Sequence, residues 1–295
     1  MLSFCPFSTQ CLNSRAMNRG NGHVGEHNGR RQVRFAFLAT IGSMFFGGFI
    51  GAIIVLGFVD PTSPGLDLPR WTIVLSESLI LLPLAFIIQR RRLPLAAAFR
   101  LQGVSPGTLR DTVLIGLGVS VLIDELDRLM ALVFPLPDNI ARGMEFLTFA
   151  TGSEALLVAG GAVVIAPLVE EIVFRGFFQG QLERGYRDAT KAVLFSSLLF
   201  TVLHFNPWWS LQIYLLGMVL GYLAWRTGSI WPSFVVHAVN NSLALWFANV
   251  PEDSFSWYAP GGHVSPLWLA AAALVTYLGF RSLLVQNPEP LLSDR

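Results

Sequence analysis

The sequence predicts an all-α fold: a polytopic transmembrane helix bundle of about eight spans with a polar cavity among spans four to seven. Three observations carry this expectation. Of 295 residues, 53% are hydrophobic and only 13% charged, with a mean hydropathy of +0.55, whereas roughly a quarter of the residues of a soluble domain are charged. The apolar residues gather in runs near the length of about 20 that crosses a hydrocarbon core of roughly 30 Å. Ionisable and amide side chains nevertheless recur inside the runs of the back half, where lipid offers them no partner.

Residues 1–34 are rich in Asn, Gly, Arg and Ser without apolar periodicity and read as a disordered polar tail. Cys5 and Cys11 both lie in this tail, so no disulfide staples the spans. The first apolar run is too long and too late for a cleaved signal, so the chain is expected to insert through its own first span. Apolar runs follow at 35–59, 71–89, 112–134, 154–175, 190–206, 210–226, 230–249 and 264–284. The stretch from Leu93 to Arg110 mixes small apolar clusters with Arg100, Gly103 and Pro106, which suits an interfacial segment better than another span. The domains expected are the tail, the N-terminal spans over 35–150, a catalytic membrane core over 151–250, and the last span with its C-terminal tail over 251–295.

Basic residues bias the orientation. Arg30, Arg31 and Arg34 precede the first run, Arg90 to Arg92 follow the second, Arg184, Arg187 and Lys191 separate the fourth from the fifth, and Arg226 follows the sixth. The alternate connectors are Pro-rich, Gly-rich or acidic, so the positive-inside rule puts both termini in the cytoplasm. Trp71, Trp208, Trp209, Trp231 and Trp268 stand near run ends, where an indole anchors at headgroup level. A net charge of +1 carries no signal for nucleic acid.

An ionisable side chain at membrane depth costs about 2.5–3.5 kcal/mol or more, so a cluster of them marks a candidate site. Glu170-Glu171 with Arg175 closes the fourth run. Glu171 and Arg175 are four apart and share a helix face, while Glu170 points about 100° away. One carboxylate is thereby neutralised and the other left free, as a general base requires. His204 follows Phe200 by four residues in the fifth run, and His237 precedes Asn241 by four in the seventh. Each cluster alone also fits a structural role: an ion pair at a span end, a packed histidine, or an interhelical hydrogen-bond network. Together they supply a base, a second imidazole for an attacking water, and neutral donors for an oxyanion. The chain has no His-Glu-x-x-His zinc motif and no Gly-x-Ser-x-Gly elbow. Glu170, His204 and His237 could hold a zinc ion with one open position.

These motifs, Glu-Glu-x-x-x-Arg, Phe-x-x-x-His and His-x-x-x-Asn in that order, resemble those of the CPBP family: type II CAAX prenyl endopeptidases with the bacteriocin-processing and abortive-infection proteins related to them. The resemblance runs from about Glu154 to Trp246. It implies an intramembrane endopeptidase in which Glu170 activates water with His204, His237 and Asn241 stabilise the oxyanion, and Glu171 with Arg175 form a supporting pair. The family often carries the label metalloprotease, while a metal-independent glutamate mechanism has also been argued for it. The latter is favoured here, with no cofactor required, because Asn241 is a poor zinc ligand and a good oxyanion donor. The expected partners are the bilayer and a membrane-associated protein or peptide substrate, in the plasma membrane of a prokaryote. The competing class is a non-catalytic immunity, scaffold or transport protein.

One tension accompanies this expectation. At 1.5 Å per residue Glu170 and His204 lie about 25 and 20 Å above the cytoplasmic ends of their helices, but His237 lies only about 12 Å above Gly228. The helices must tilt, bend or be partly submerged for the three to meet, and Gly176, Gly180 and Gly185 offer places to bend.

Overall fold

The computed structural model describes residues 9–58, 71–138, 140 and 147–287, with side chains from Gly29 onward except at Ile73 and Glu252. Among these residues all regular structure is helical. The helices are α1 (Thr9–Leu56), α2 (Trp71–Arg90), α3 (Leu95–Ala98), α4 (Pro106–Val133), α5 (Gly152–Tyr186), α6 (Ala189–Val202), α7 (Ser210–Thr227), α8 (Trp231–Asn249) and α9 (Pro266–Gln286). Each apolar run falls on one of the eight longer helices. Three of them, Gly29–Leu56, Gly152–Tyr186 and Pro266–Gln286, are long and apolar enough to cross a membrane. The backbone of α1 reaches into the stretch that composition predicts as coil. Propagating an existing helix adds one hydrogen bond per residue fixed, so a polar flank can follow an anchored span.

Local chemistry sets the helix ends. Ser105 caps α4 by accepting from Thr108 N at 3.0 Å, with Pro106 at the first helical position. Thr151 and Glu154 form a capping box at the start of α5. Arg187 turns the chain with φ 53°, Asp188 then caps α6 by accepting from Lys191 N at 3.0 Å, and Gly228 ends α7 at φ 65°. Beside Arg187, the ordinary carboxylate range does not hold for Asp188: the amide and ammonium of Lys191 draw it lower.

Packing divides the bundle into two apolar cores. One joins α1, α2, α5 and α6 through residues such as Ala36, Leu84, Val173, Phe177 and Phe200, and the other joins α4, α7, α8 and α9 through Ile115, Leu220, Val236 and Leu283. The polar cluster lies on the seam between them, because Glu171 follows Val169 of the first core and His237 follows Val236 of the second. Large apolar side chains also face outward, with Phe49 68%, Leu132 70% and Leu156 77% exposed. On this integral membrane protein such a belt meets lipid.

The segment between α2 and α4 clamps neighbouring helices together. Arg100 O accepts from Ile230 N at 3.0 Å, Leu101 O from Trp231 Nε1 at 3.2 Å and Gln102 O from Ser229 Oγ at 2.6 Å, so the loop is tied to the α7–α8 turn. The Arg100 guanidinium pairs with Glu183 on α5. The same segment presses on Gly176, where a Cβ would stand 2.5 Å from Phe99 O. Gly176 therefore serves close approach, and α5 runs unbroken past it to Tyr186. Gly176→Ala is expected to destabilise the fold by about 1–3 kcal/mol through overpacking against backbone. A lowered thermal transition in detergent would show it, and an unchanged one would mean that the clamp can retreat.

Candidate functional site

The site is built on an irregular part of α5. Ala166–Glu171 is α-helical, but Gly160–Ile165 before it and Ile172–Gln179 after it are π-helical. Wider i→i+5 turns are rare and recur at functional sites. They pack more residues into each turn than the 1.5 Å rise assumes, which helps explain how Glu170 and His237 meet despite the depth mismatch expected from sequence.

Glu171 and Arg175 are both fully buried, with Oε1 and Nη1 3.1 Å apart. Arg175 Nη2 donates to Gly217 O at 3.3 Å, and its guanidinium lies 4.2 Å from the centre of the Phe200 ring. His237, itself 4% exposed, sits between the two glutamates. Its Nδ1 is 3.0 Å from Glu171 Oε1 and its Nε2 is 3.5 Å from Glu170 Oε2. An ionised Glu171 paired with Arg175 accepts a hydrogen from Nδ1, which orients the ring so that Nε2 addresses Glu170. The Glu170 side chain retains 18% exposure while Glu171 has none. Of the two carboxylates, Glu170 is thus the accessible one.

The other residues singled out by sequence reach this centre less directly. His204 lies just beyond the end of α6 and is exposed, and its Nδ1 is 2.7 Å from Phe200 O. A carbonyl can only accept, so Nδ1 carries the hydrogen and the Nε2 lone pair is left available. Phe200 connects the two imidazoles, with its ring centre 4.5 Å from that of His204 and 5.9 Å from that of His237. Asn241 Nδ2 donates to Ala162 O at 2.9 Å, inside the first π segment. Its amide therefore steadies an irregular backbone and keeps one further N–H and its oxygen uncommitted. The contacts bring Glu170, Glu171, Arg175 and His237 together, leave Asn241 anchored to Ala162 about two turns before Glu170 on α5, and relate His204 to the rest through Phe200.

Both nitrogens of His237 are directed at carboxylates, and among the described residues no group of three His, Cys, Asp or Glu is arranged to hold a metal ion.

Sequence reasoning missed Glu77, in the middle of α2. It lies within electrostatic reach of Glu170 across the α2–α5 contact. An acidic residue within the run 71–89 was the available signal. It was overlooked because no partner stands three or four residues away.

Fold and site together give an all-α bundle with a buried carboxylate–arginine–imidazole cluster at its seam. Residues 152–243, from α5 through most of α8, match the family model described as type II CAAX prenyl endopeptidase Rce1-like. The family that this model describes is one of CAAX-type intramembrane proteases, hydrolases of peptide bonds. The chain is also similar to a Bacillus subtilis (strain 168) protein described as uncharacterized protein YyaK, 27% identical over 275 residues, covering 84% of this chain and 89% of the relative. No solved structure matches it.

Proposed function

We propose that the protein is an intramembrane endopeptidase that hydrolyses a peptide bond of a membrane-associated protein or peptide with a water activated by Glu170, without a metal. The observation that carries this reading is the division of labour between adjacent carboxylates: Glu171 is sealed against Arg175, and Glu170 is left partly open beside His237 Nε2. A base must be reachable and free to take a proton, and only Glu170 of the two meets both needs.

In the reaction, Glu170 takes a proton from water as the water oxygen bonds to the scissile carbonyl carbon and the carbonyl π electrons move onto oxygen. His204 Nε2 accepts the second hydrogen of that water and orients it. Because Nδ1 already donates to Glu171, His237 acts on the oxyanion as the imidazolium, with Nε2 carrying a second hydrogen. That N–H and the remaining Asn241 N–H donate to the oxyanion, each such donor contributing roughly 10²–10³ in rate. Collapse re-forms the carbonyl, breaks the C–N bond, and returns the proton from Glu170 to the leaving nitrogen. Glu171 and Arg175 hold His237 in register. The reading extends to eight spans with both termini in the cytoplasm of a prokaryotic cell, as the distribution of arginines supports.

Protein reconstituted in liposomes with a membrane-embedded reporter peptide tests this. Cleaved product that persists in the presence of a strong chelator is the expected result. Activity lost to chelator and restored by zinc would overturn the metal-free chemistry. Solute flux across the liposome with no cleaved product would point instead to transport.

A further inference from the structure

The proposed chemistry draws on α5, α6 and α8 and leaves without a task one half-buried acid on α2, whose inner oxygen is shielded. Other acids shielded in the bundle have evident partners: Asp111 takes Arg110 and Gln286, Asp127 takes Gln212, and Glu183 takes Arg100 and Gln179. Glu77 differs. Its Oε2 is shut off from solvent and has no hydrogen-bond partner among the described residues. The charged group within electrostatic reach of it, across the contact between α2 and α5, is a like one, Glu170. The helix that carries it packs along α5 from Gly160 to Glu171, so its place is set by helix packing rather than by a loop.

A buried carboxylate with no counter-ion costs several kcal/mol, and a second carboxylate beside it adds to that cost. Two neighbouring carboxyl groups relieve the cost when one of them stays protonated. Charged groups facing the pair come from α5, which brings Glu171 and Arg175, and from α8, which brings His237; Glu171, Arg175 and His237 are already engaged with one another. His237 approaches Glu170 from α8, while Glu77 approaches from α2, so Glu170 is flanked by two groups on different helices.

Resting on the reading of Glu170 as the base, we propose that Glu77 is a positioning residue whose neutral carboxylic acid donates a hydrogen bond toward Glu170, directly or through the nucleophilic water, and so fixes the carboxylate between α2 and α8. Glu77 keeps its proton through the cycle, and the proton exchanged with water and the leaving nitrogen belongs to Glu170 alone.

The test uses full-length reconstituted protein and the reporter peptide, with Glu77→Leu, Glu77→Gln and Glu170→Gln compared. Glu77→Leu should lower kcat by about 10–100-fold with little change in KM. It should also move the acid limb of the pH–rate profile upward, because a donor that stabilised the charged form of Glu170 is gone. Glu77→Gln, which still donates, should recover most of the loss and restore the limb. Infrared spectra at neutral pH should show a protonated-carboxyl band that Glu77→Gln removes, a readout that does not depend on turnover. A Glu77→Leu rate and pH profile equal to the unmodified protein's, or a limb displaced downward, would overturn the inference, as would a band unaltered by Glu77→Gln. If Glu170→Gln is inactive while Glu77→Leu behaves as unmodified, only the inference has failed. If Glu170→Gln cleaves normally, the reading of Glu170 has failed and the positioning role goes with it. Should Glu77→Leu not fold, Glu77→Gln carries the infrared arm.

Discussion

Glu170→Gln is expected to cut hydrolysis of a membrane-embedded peptide by about 10²–10⁴-fold, the range that a positioned general base supplies. The substitution keeps the shape of the side chain and its contact with His237 Nε2, and it removes the only carboxylate of the pair that solvent reaches. An amide cannot take the proton of water at neutral pH, so the loss should fall on kcat rather than KM. Because the side chain is partly open, the thermal transition should stay within the small range typical of replacements away from a packed core. Turnover assays paired with thermal unfolding in the same detergent decide the matter. Full activity in a folded Glu170→Gln protein would remove Glu170 from the chemistry.

Arg175→Met should have the opposite signature, a large loss of stability that precedes any question of catalysis. Its guanidinium is fully buried against an equally buried Glu171, donates to Gly217 O on α7 and lies over the Phe200 ring. Removing it strands the Glu171 carboxylate in the low-dielectric seam, and breaking a buried pair from one side costs about 3–5 kcal/mol. A second substitution, Glu171→Gln, removes the stranded charge and should return part of the loss, so that the two changes together cost less than their sum. Strict additivity in the double-mutant cycle would show that the pair contributes little to one another's burial.

Much of this arrangement could be read from spacing. The hydropathy runs locate the eight longer helices because lipid leaves an apolar stretch little choice but to be helical. A four-residue interval lines up Glu171 with Arg175 and Phe200 with His204, and both pairs touch. What each residue does in a reaction is a matter for the experiments above. Spacing is silent where geometry departs from the ideal helix. The π segments around Ala166–Glu171 leave no mark in composition, so depths computed from a uniform rise kept His237 away from glutamates that it meets at 3.0 and 3.5 Å. The bond from Asn241 to Ala162 O depends on that irregular backbone and was equally hidden. Glu77 was obscured for another reason, since its neighbour lies on a helix about ninety residues away in sequence, and only tertiary packing brings them together.

The two π segments have a further consequence for how α5 is read and altered. Each extra residue held in a wide turn rotates everything downstream by about 100° relative to an ordinary helix. The stretch before Gly160, the carboxylates at 170 and 171, and the stretch after Gln179 therefore follow three different angular phases along one continuous rod. A single helical wheel drawn over Gly152–Tyr186 blends these phases and blurs the polar face it is meant to reveal. An alignment gap of one residue within Gly160–Ile165 or Ile172–Gln179 can be absorbed by a change of turn type, whereas the same gap inside Ala166–Glu171 would rotate one carboxylate out of the seam.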